Sequence, residues 1–265
     1  MSNPTNVYDD LIADGNDVEA LVTGLSEAEW STATPAPGWT VKHQIAHLAF
    51  VAHLAALSAG DPEAFAAHVT DAKRDFQAAV DAALTVYLKL STGALVDKWR
   101  DERNTAAKAL AAVDPRGTVP WLVNPLPPSV LAAAGMMELF GHGQDIADAL
   151  GRTRELTDRI GHLAWFGHRT RDFGYHAHGL TPPAEDFRVE LTGPSGVRWE
   201  FGPADATQRV TGPAVDFALL VSRRRHRDDL ALTAKGEEAD RWLDIAQAYR
   251  GPAGAGRRPG QFAKR

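Results

Sequence analysis

The chain has no cysteine. No disulfide can form, so nothing points to an oxidising compartment. Thiolate is also excluded as a metal ligand or a nucleophile. Any metal is held by nitrogen and oxygen, and any thiol chemistry must draw on a thiol from outside. Long apolar runs are lacking too. The greasiest stretch, Ile45 to Ala59, is too short to span a bilayer and carries His47 and His53. The opening segment MSNPTNVYDDLIADGNDVEA is acidic and has no apolar core, unlike a signal peptide. The expected location is the cytoplasm, with no membrane partner. Charge of one sign is in small excess only: the net is −6 over 265 residues. That balance argues against a nucleic-acid partner. The exception is the basic, Gly- and Pro-rich ending GAGRRPGQFAKR. No P-loop, GxGxxG or nucleophile elbow stands in a suitable context, and no internal repeat is visible.

What is present is mostly helical pattern. Tyr8, Leu11, Ile12, Val18, Leu21, Val22 and Leu25 recur at helical intervals, with a break expected at Asp14-Gly15-Asn16. Ser26 and Glu29 have capping-box spacing. Pro35, Pro37 and Gly38 force a loop, and Thr40 is placed to cap a helix from about Val41 to Leu57. Asp61-Pro62 opens a region with apolar residues Phe65, Val69, Phe76, Val80, Leu84 and Leu88. A helix follows over about Thr92 to Val113, then the proline-dense loop DPRGTVPWLVNPLPPS. Ser129 begins another helix that ends near Gly151, and a last long one covers about Thr157 to His178. Beyond Thr181-Pro182-Pro183 the period changes to two. FRVEL and VRWEFG read as strands around a PSG turn, with TQRVTG as a third. Helices return at about Pro213 to Arg224 and Gly236 to Tyr249. The expected architecture is a helical bundle over residues 1–180 joined to a small α+β domain over 181–265 with a basic tail.

Glu138 and His142 lie four apart in MMELFGHGQDIADAL, so they share one face of a helix. Alone they would be a surface acid–imidazole pair. Met136, Met137, Leu139 and Phe140 make the neighbourhood apolar, and a buried carboxylate needs a partner to stay ionised. His47 alone would be a core histidine bonded to a carbonyl. Together, His47, Glu138 and His142 can form a three-ligand metal site with open positions, as catalysis requires. Zinc suits such a nitrogen and oxygen set, although two histidines and a carboxylate also match non-haem iron. Asp145 could orient His142 from behind, or simply belong to a polar face. His43 is placed near the bundle end, and His53 on another face. Trp39, Trp121 and Phe140 are candidates for a pocket mouth or for plain core. His162, His168, Tyr175, His176 and His178 cluster without an assignable role.

PAPGWTVKHQIAHLAF followed by MMELFGHGQDIADAL resembles the DinB-like superfamily. Within it, the chain is similar to the mycothiol-dependent maleylpyruvate isomerase branch, in an actinobacterial metal-binding subgroup. The shared features are Gly38-Trp39, His47, Glu138, His142 and Asp145. The usual tryptophan of the E-x-x-x-H motif is replaced by Phe140. The resemblance implies a DinB-like four-helix-type bundle holding one divalent metal, commonly Zn2+, with mycothiol as thiol cosubstrate. It also implies that VTGPAVDFALLVSRRRHRDDL ends in a functional arginine. Arg224 is the closest match and the candidate catalytic residue. Arg223 and Arg224 are the candidates for cofactor binding, with Arg225 a register neighbour. Such arginines clamp carboxylates. Without the resemblance, RRRHR would be a solvated helix end favoured by the dipole.

The resulting expectation is a metal-dependent isomerase or S-transferase that uses mycothiol on a small electrophile, as a monomer or homodimer. Two alternatives stay open. One is a thiol-independent metalloenzyme catalysing hydrolysis, elimination or rearrangement. The other is a non-catalytic metal- or ligand-binding protein.

Overall fold

The computed structural model describes residues 6–69 and 76–262, without the side chains of residues 76, 77 and 79. The Phe76 side chain, residues 1–5 of the opening segment and the last three residues of the basic tail lie outside the described residues. Two compact units divide at Thr153/Arg154.

The first unit is helical. It comprises α1 (Val7–Val22), α2 (Glu27–Trp30), α3 (Val41–Gly60), α4 (Pro62–Val69), α5 (Phe76–Tyr87), α6 (Thr92–Ala112) and α7 (Pro128–Leu150). Local chemistry sets the ends. The Asn6 side chain accepts from the Tyr8 amide, and Ser91 from the Ala94 amide, at 3.0 and 3.3 Å. Ser26 and Glu29 form the reciprocal capping box. Pro128 opens α7, and Gly151 closes it in the left-handed conformation at φ 63°. The long helices α1, α3, α6 and α7 bury Val18, Ile45, Leu95, Trp99, Leu110, Met136 and Ile146 in one core. Each such large apolar side chain contributes about 1.5–3 kcal/mol.

The break expected at Asp14-Gly15-Asn16 does not occur; α1 runs straight through it. The glycine serves packing instead. Arg103 on α6 lies against it, and a Cβ on Gly15 would stand 2.8 Å from Arg103 Cδ. The buried Arg103 guanidinium donates to the Gly15 carbonyl at 2.8 Å and to Asn16 and Glu19 at 2.6 Å each. It also stacks over Trp99, 4.6 Å from the ring centroid. This clamp ties α1 to α6.

The second unit contains α8 (Ile160–Arg169), α9 (Asp172–Ala177), β1 (Phe187–Thr192), β2 (Arg198–Phe201), β3 (Gln208–Pro213), α10 (Ala214–Val221), β4 (Thr233–Lys235) and α11 (Glu237–Ile245). Sheet order is β2-β1-β3-β4. β1 pairs antiparallel with β2 and parallel with β3, and β3 pairs antiparallel with β4. Phe187, Val189 and Leu191 alternate into the core, where Phe187 and Phe217 pack on Trp242.

The boundary near residue 180 moves to 153, because α8 packs within the second unit. Its glycines let it do so: Gly161 lies under Trp199, and Gly167 under Phe217 and Val221. The single helix expected over Thr157–His178 is broken between α8 and α9. Trp242 Nε1 donates to the Arg171 carbonyl at 3.1 Å, and Gly174 abuts the Ile245 backbone. Among the described residues, no helix is long and apolar enough to cross a membrane.

Candidate metal centre

His47 comes from the middle of α3, and Glu138 and His142 from successive turns of α7. α3 is apolar on nearly every face, so it lies in the bundle and turns His47 toward α7. The structure brings the three side chains together. Glu138 Oε2 lies 3.4 Å from His47 Nε2 and 3.1 Å from His142 Nε2. The imidazole centroids are 4.6 Å apart. One donor atom from each residue falls within 4.8 Å of the others, the only such group of potential metal ligands among the described residues.

The spacing suits a zinc-sized ion. Ligand bonds near 2.0–2.1 Å in a tetrahedron put neighbouring donor atoms about 3.3 Å apart, close to the distances from Glu138 to both imidazoles. The donor set is equally suitable, with two imidazoles and one carboxylate. Burial pushes the Glu138 carboxyl up, but the hydrogen bonds to His142 and His47 outweigh it and hold the group well below the usual carboxylate range. The acid is therefore ionised at neutral pH. The cluster is mostly but not wholly buried, with side-chain exposures of 13% for each histidine and 25% for Glu138.

The Gly38-Trp39 turn closes another side. Gly38 has φ 79°, a left-handed value that favours glycine. An Ala33–Thr40 bridge pins the turn. Trp39 then stacks on His142 at 5.8 Å and leans on His47 at 5.3 Å. Behind the cluster, His142 Nδ1 meets Gln44 Oε1 at 2.5 Å. Gln44 Nε2 reaches Thr34 Oγ1 at 2.8 Å, and the Thr34 hydroxyl donates to the Trp39 carbonyl at 3.0 Å. Asp145 is buried, but the contact on Nδ1 belongs to Gln44, a residue the sequence reading passed over. The signal was there: an amide one turn before His47, the only Asn or Gln in a largely apolar helix.

Other candidates fall elsewhere. His43 Nδ1 sits on the Thr40 amide and hydroxyl at 3.3 and 2.8 Å, at the start of α3. His53 pairs with the buried Glu102 at 3.1 Å. Trp121 stacks on Phe65 in a separate small cluster, and Phe140 is buried. His168 and Tyr175 belong to the second unit. His168 Nε2 meets the Phe187 carbonyl at 3.3 Å, and burial lowers its pKa. Tyr175 is buried with its hydroxyl on Glu238 at 3.2 Å, and burial pushes it up to about 12.

The candidate arginines stand just past α10. Arg223 and Arg224 amides donate to the Leu220 and Leu219 carbonyls, both at 2.8 Å, which closes the helix in a Schellman turn. Arg223 fills the left-handed position at φ 58°, alone among the described non-glycine residues. Its guanidinium makes no ion pair among the described residues, and Nη2 would stand 2.9 Å from a Cβ on Gly256. Arg224 bends back to the Ser222 carbonyl at 2.6 Å. Arg225 lies over Phe262, 4.1 Å from its centroid.

Comparison with known proteins gives four similarities. Residues 13–147 match the family described as Mycothiol maleylpyruvate isomerase N-terminal domain. Residues 183–235 match that described as Wyosine base formation. An uncharacterized protein of Mycobacterium tuberculosis, from two strains, is 44% identical over 257 residues, spanning 97% of this chain and 100% of the relative. Crystal structures of the mycothiol-dependent maleylpyruvate isomerase and of a histidine-to-alanine mutant of it superpose with TM-scores of 0.52 and 0.55. Their identities are 16% and 14%, and both matches cover 86% of this chain and 91% of the other. At that identity the likeness is one of fold.

Proposed function

Because the chain belongs to the mycothiol maleylpyruvate isomerase N-terminal domain family, we propose that it is a metal-dependent enzyme that uses mycothiol. The reaction is isomerisation of, or S-transfer to, a small electrophilic metabolite. One observation carries the reading: His47, Glu138 and His142 converge from α3 and α7, each of them only partly buried.

In this reading the three side chains hold a divalent ion, most simply Zn2+. When bound, the ion supplies a Lewis acid that lowers the pKa of a thiol or of water. The chain's own residues do the rest. His47 and His142 present imidazole nitrogens, and Glu138 contributes the negative charge that partly neutralises the cation. Trp39 covers the imidazoles and limits access of water. The thiolate sulfur adds to an electron-poor double bond of the substrate, and the electron pair moves to the adjoining acceptor group. Rotation about the new single bond, return of the pair and departure of the thiolate give the isomer. Retention of the new C–S bond, with a proton taken up at carbon, gives S-transfer. In the second unit, Arg223 and Arg224 bind a carboxylate of substrate or cosubstrate.

The test has two arms. Full-length protein purified without a histidine tag is analysed for metals and assayed on electrophilic α,β-unsaturated acids with and without mycothiol. Stoichiometric divalent metal, thiol-dependent turnover and loss of both in His142→Ala are expected. Turnover without thiol would move the protein to thiol-independent hydrolysis, elimination or rearrangement. Failure of the wild type to take up zinc would end the reading.

A further inference from the structure

We infer that Gln44 is a positioning residue that fixes the proton of His142 on Nδ1 and reserves Nε2 for the metal. The inference rests on the metal reading above and follows from accounting for each hydrogen. The Trp39 carbonyl can only accept. It takes the Thr34 amide at 2.8 Å and the Thr34 hydroxyl at 3.0 Å. With its hydrogen spent there, Thr34 Oγ1 can only accept from Gln44, 2.8 Å away. The Gln44 amide must therefore turn its NH2 to Thr34 and its carbonyl to His142. An imidazole nitrogen 2.5 Å from that carbonyl must carry a hydrogen. Nδ1 is thus the donor, which leaves Nε2, 3.1 Å from Glu138, as the position where an ion can replace the proton shared with the carboxylate.

Burial makes this chain of bonds binding. Gln44 is fully buried, so turning its amide over would set like groups against each other at both ends without water to repair them. His47 offers the contrast. Its Nδ1 is buried with no hydrogen-bond partner among the described residues. Only one of the two imidazoles is anchored from behind, and the anchor begins at the same turn that lays Trp39 over the cluster.

The test uses full-length protein labelled with 15N-histidine, with Zn2+ alone as the probe. Long-range 15N–1H spectra of the metal-free wild type should show a proton held on His142 Nδ1. Gln44→Met should move the proton of the neutral ring to Nε2 and leave His47 unchanged. Zinc affinity, by competition with a chromophoric chelator, should fall about 10–100-fold in Gln44→Met. Gln44→Glu, which keeps an acceptor for Nδ1, should stay within a few-fold of wild type. Wild-type affinity and an unmoved Nδ1 proton in Gln44→Met would overturn the inference. If that variant does not fold, Thr34→Val serves: it removes the acceptor that orients the amide and should shift the same 15N signal, and an unshifted signal overturns the inference. His142→Ala separates the two ideas. If it binds zinc as the wild type does, the metal reading itself fails. If it loses zinc while Gln44→Met does not, only the role of Gln44 fails.

Discussion

Zinc should stabilise the helical unit by an amount that one charge controls. A ligand that binds only the folded state adds RT ln(1 + [L]/Kd), about 2.7 kcal/mol at a hundredfold excess over Kd. A unit of roughly 150 residues shifts about 2–4 °C per kcal/mol, so its midpoint should rise by roughly 8 °C. Glu138→Gln keeps the shape of the side chain and removes the anion that lies 3.1 and 3.4 Å from the imidazole nitrogens. If affinity falls a hundredfold, the same zinc adds only about 0.4 kcal/mol, near 1 °C. The carboxylate also supports the metal-free fold through its bonds to the histidines. The informative quantity is therefore the shift between zinc and chelator within each variant, followed by scanning calorimetry. An undiminished shift in Glu138→Gln would refute the assignment of that residue as a ligand.

Three further outcomes follow from the packing. Arg103→Ala should cost about 3 kcal/mol in urea unfolding, because a buried ion-pair member is removed, whereas Arg100→Ala, whose side chain is 41% exposed, should cost less than about 1 kcal/mol. Gly174→Ala should destabilise the second unit by about 1–3 kcal/mol, read from Trp242 fluorescence, since the new Cβ would stand 2.3 Å from the Ile245 carbonyl oxygen. The pH profile of the second unit should show His168. Burial lowers its folded pKa, so the unfolded chain protonates first, near pH 6.5. Its contribution is whole above that value and is lost as pH falls toward the folded pKa; His168→Gln should flatten this limb of the stability curve.

The sequence makes the bundle readable because its signals are local. The capping box at Ser26 and Glu29 and the Gly151 that ends α7 act within a turn of themselves. The pairing of Glu138 with His142 is local in the same sense. The break between α8 and α9 is not, since Trp242 and Ile245, some 70 residues on, impose it. β4 is three residues of mostly polar sequence and exists only because β3 offers it an edge. Gly15 reads as a break until Arg103 is set against it. The Gln44 side chain gains its partners from two separate places, the loop at Thr34 and α7, so spacing alone does not disclose its task.

Arg223 has a consequence for anyone who would make this protein hardier. Its left-handed backbone is about 1–2 kcal/mol dearer for an arginine than for a glycine. Selection for heat tolerance alone would drift toward Arg223→Gly, and a library screened that way would gain robustness while discarding a guanidinium that makes no ion pair among the described residues.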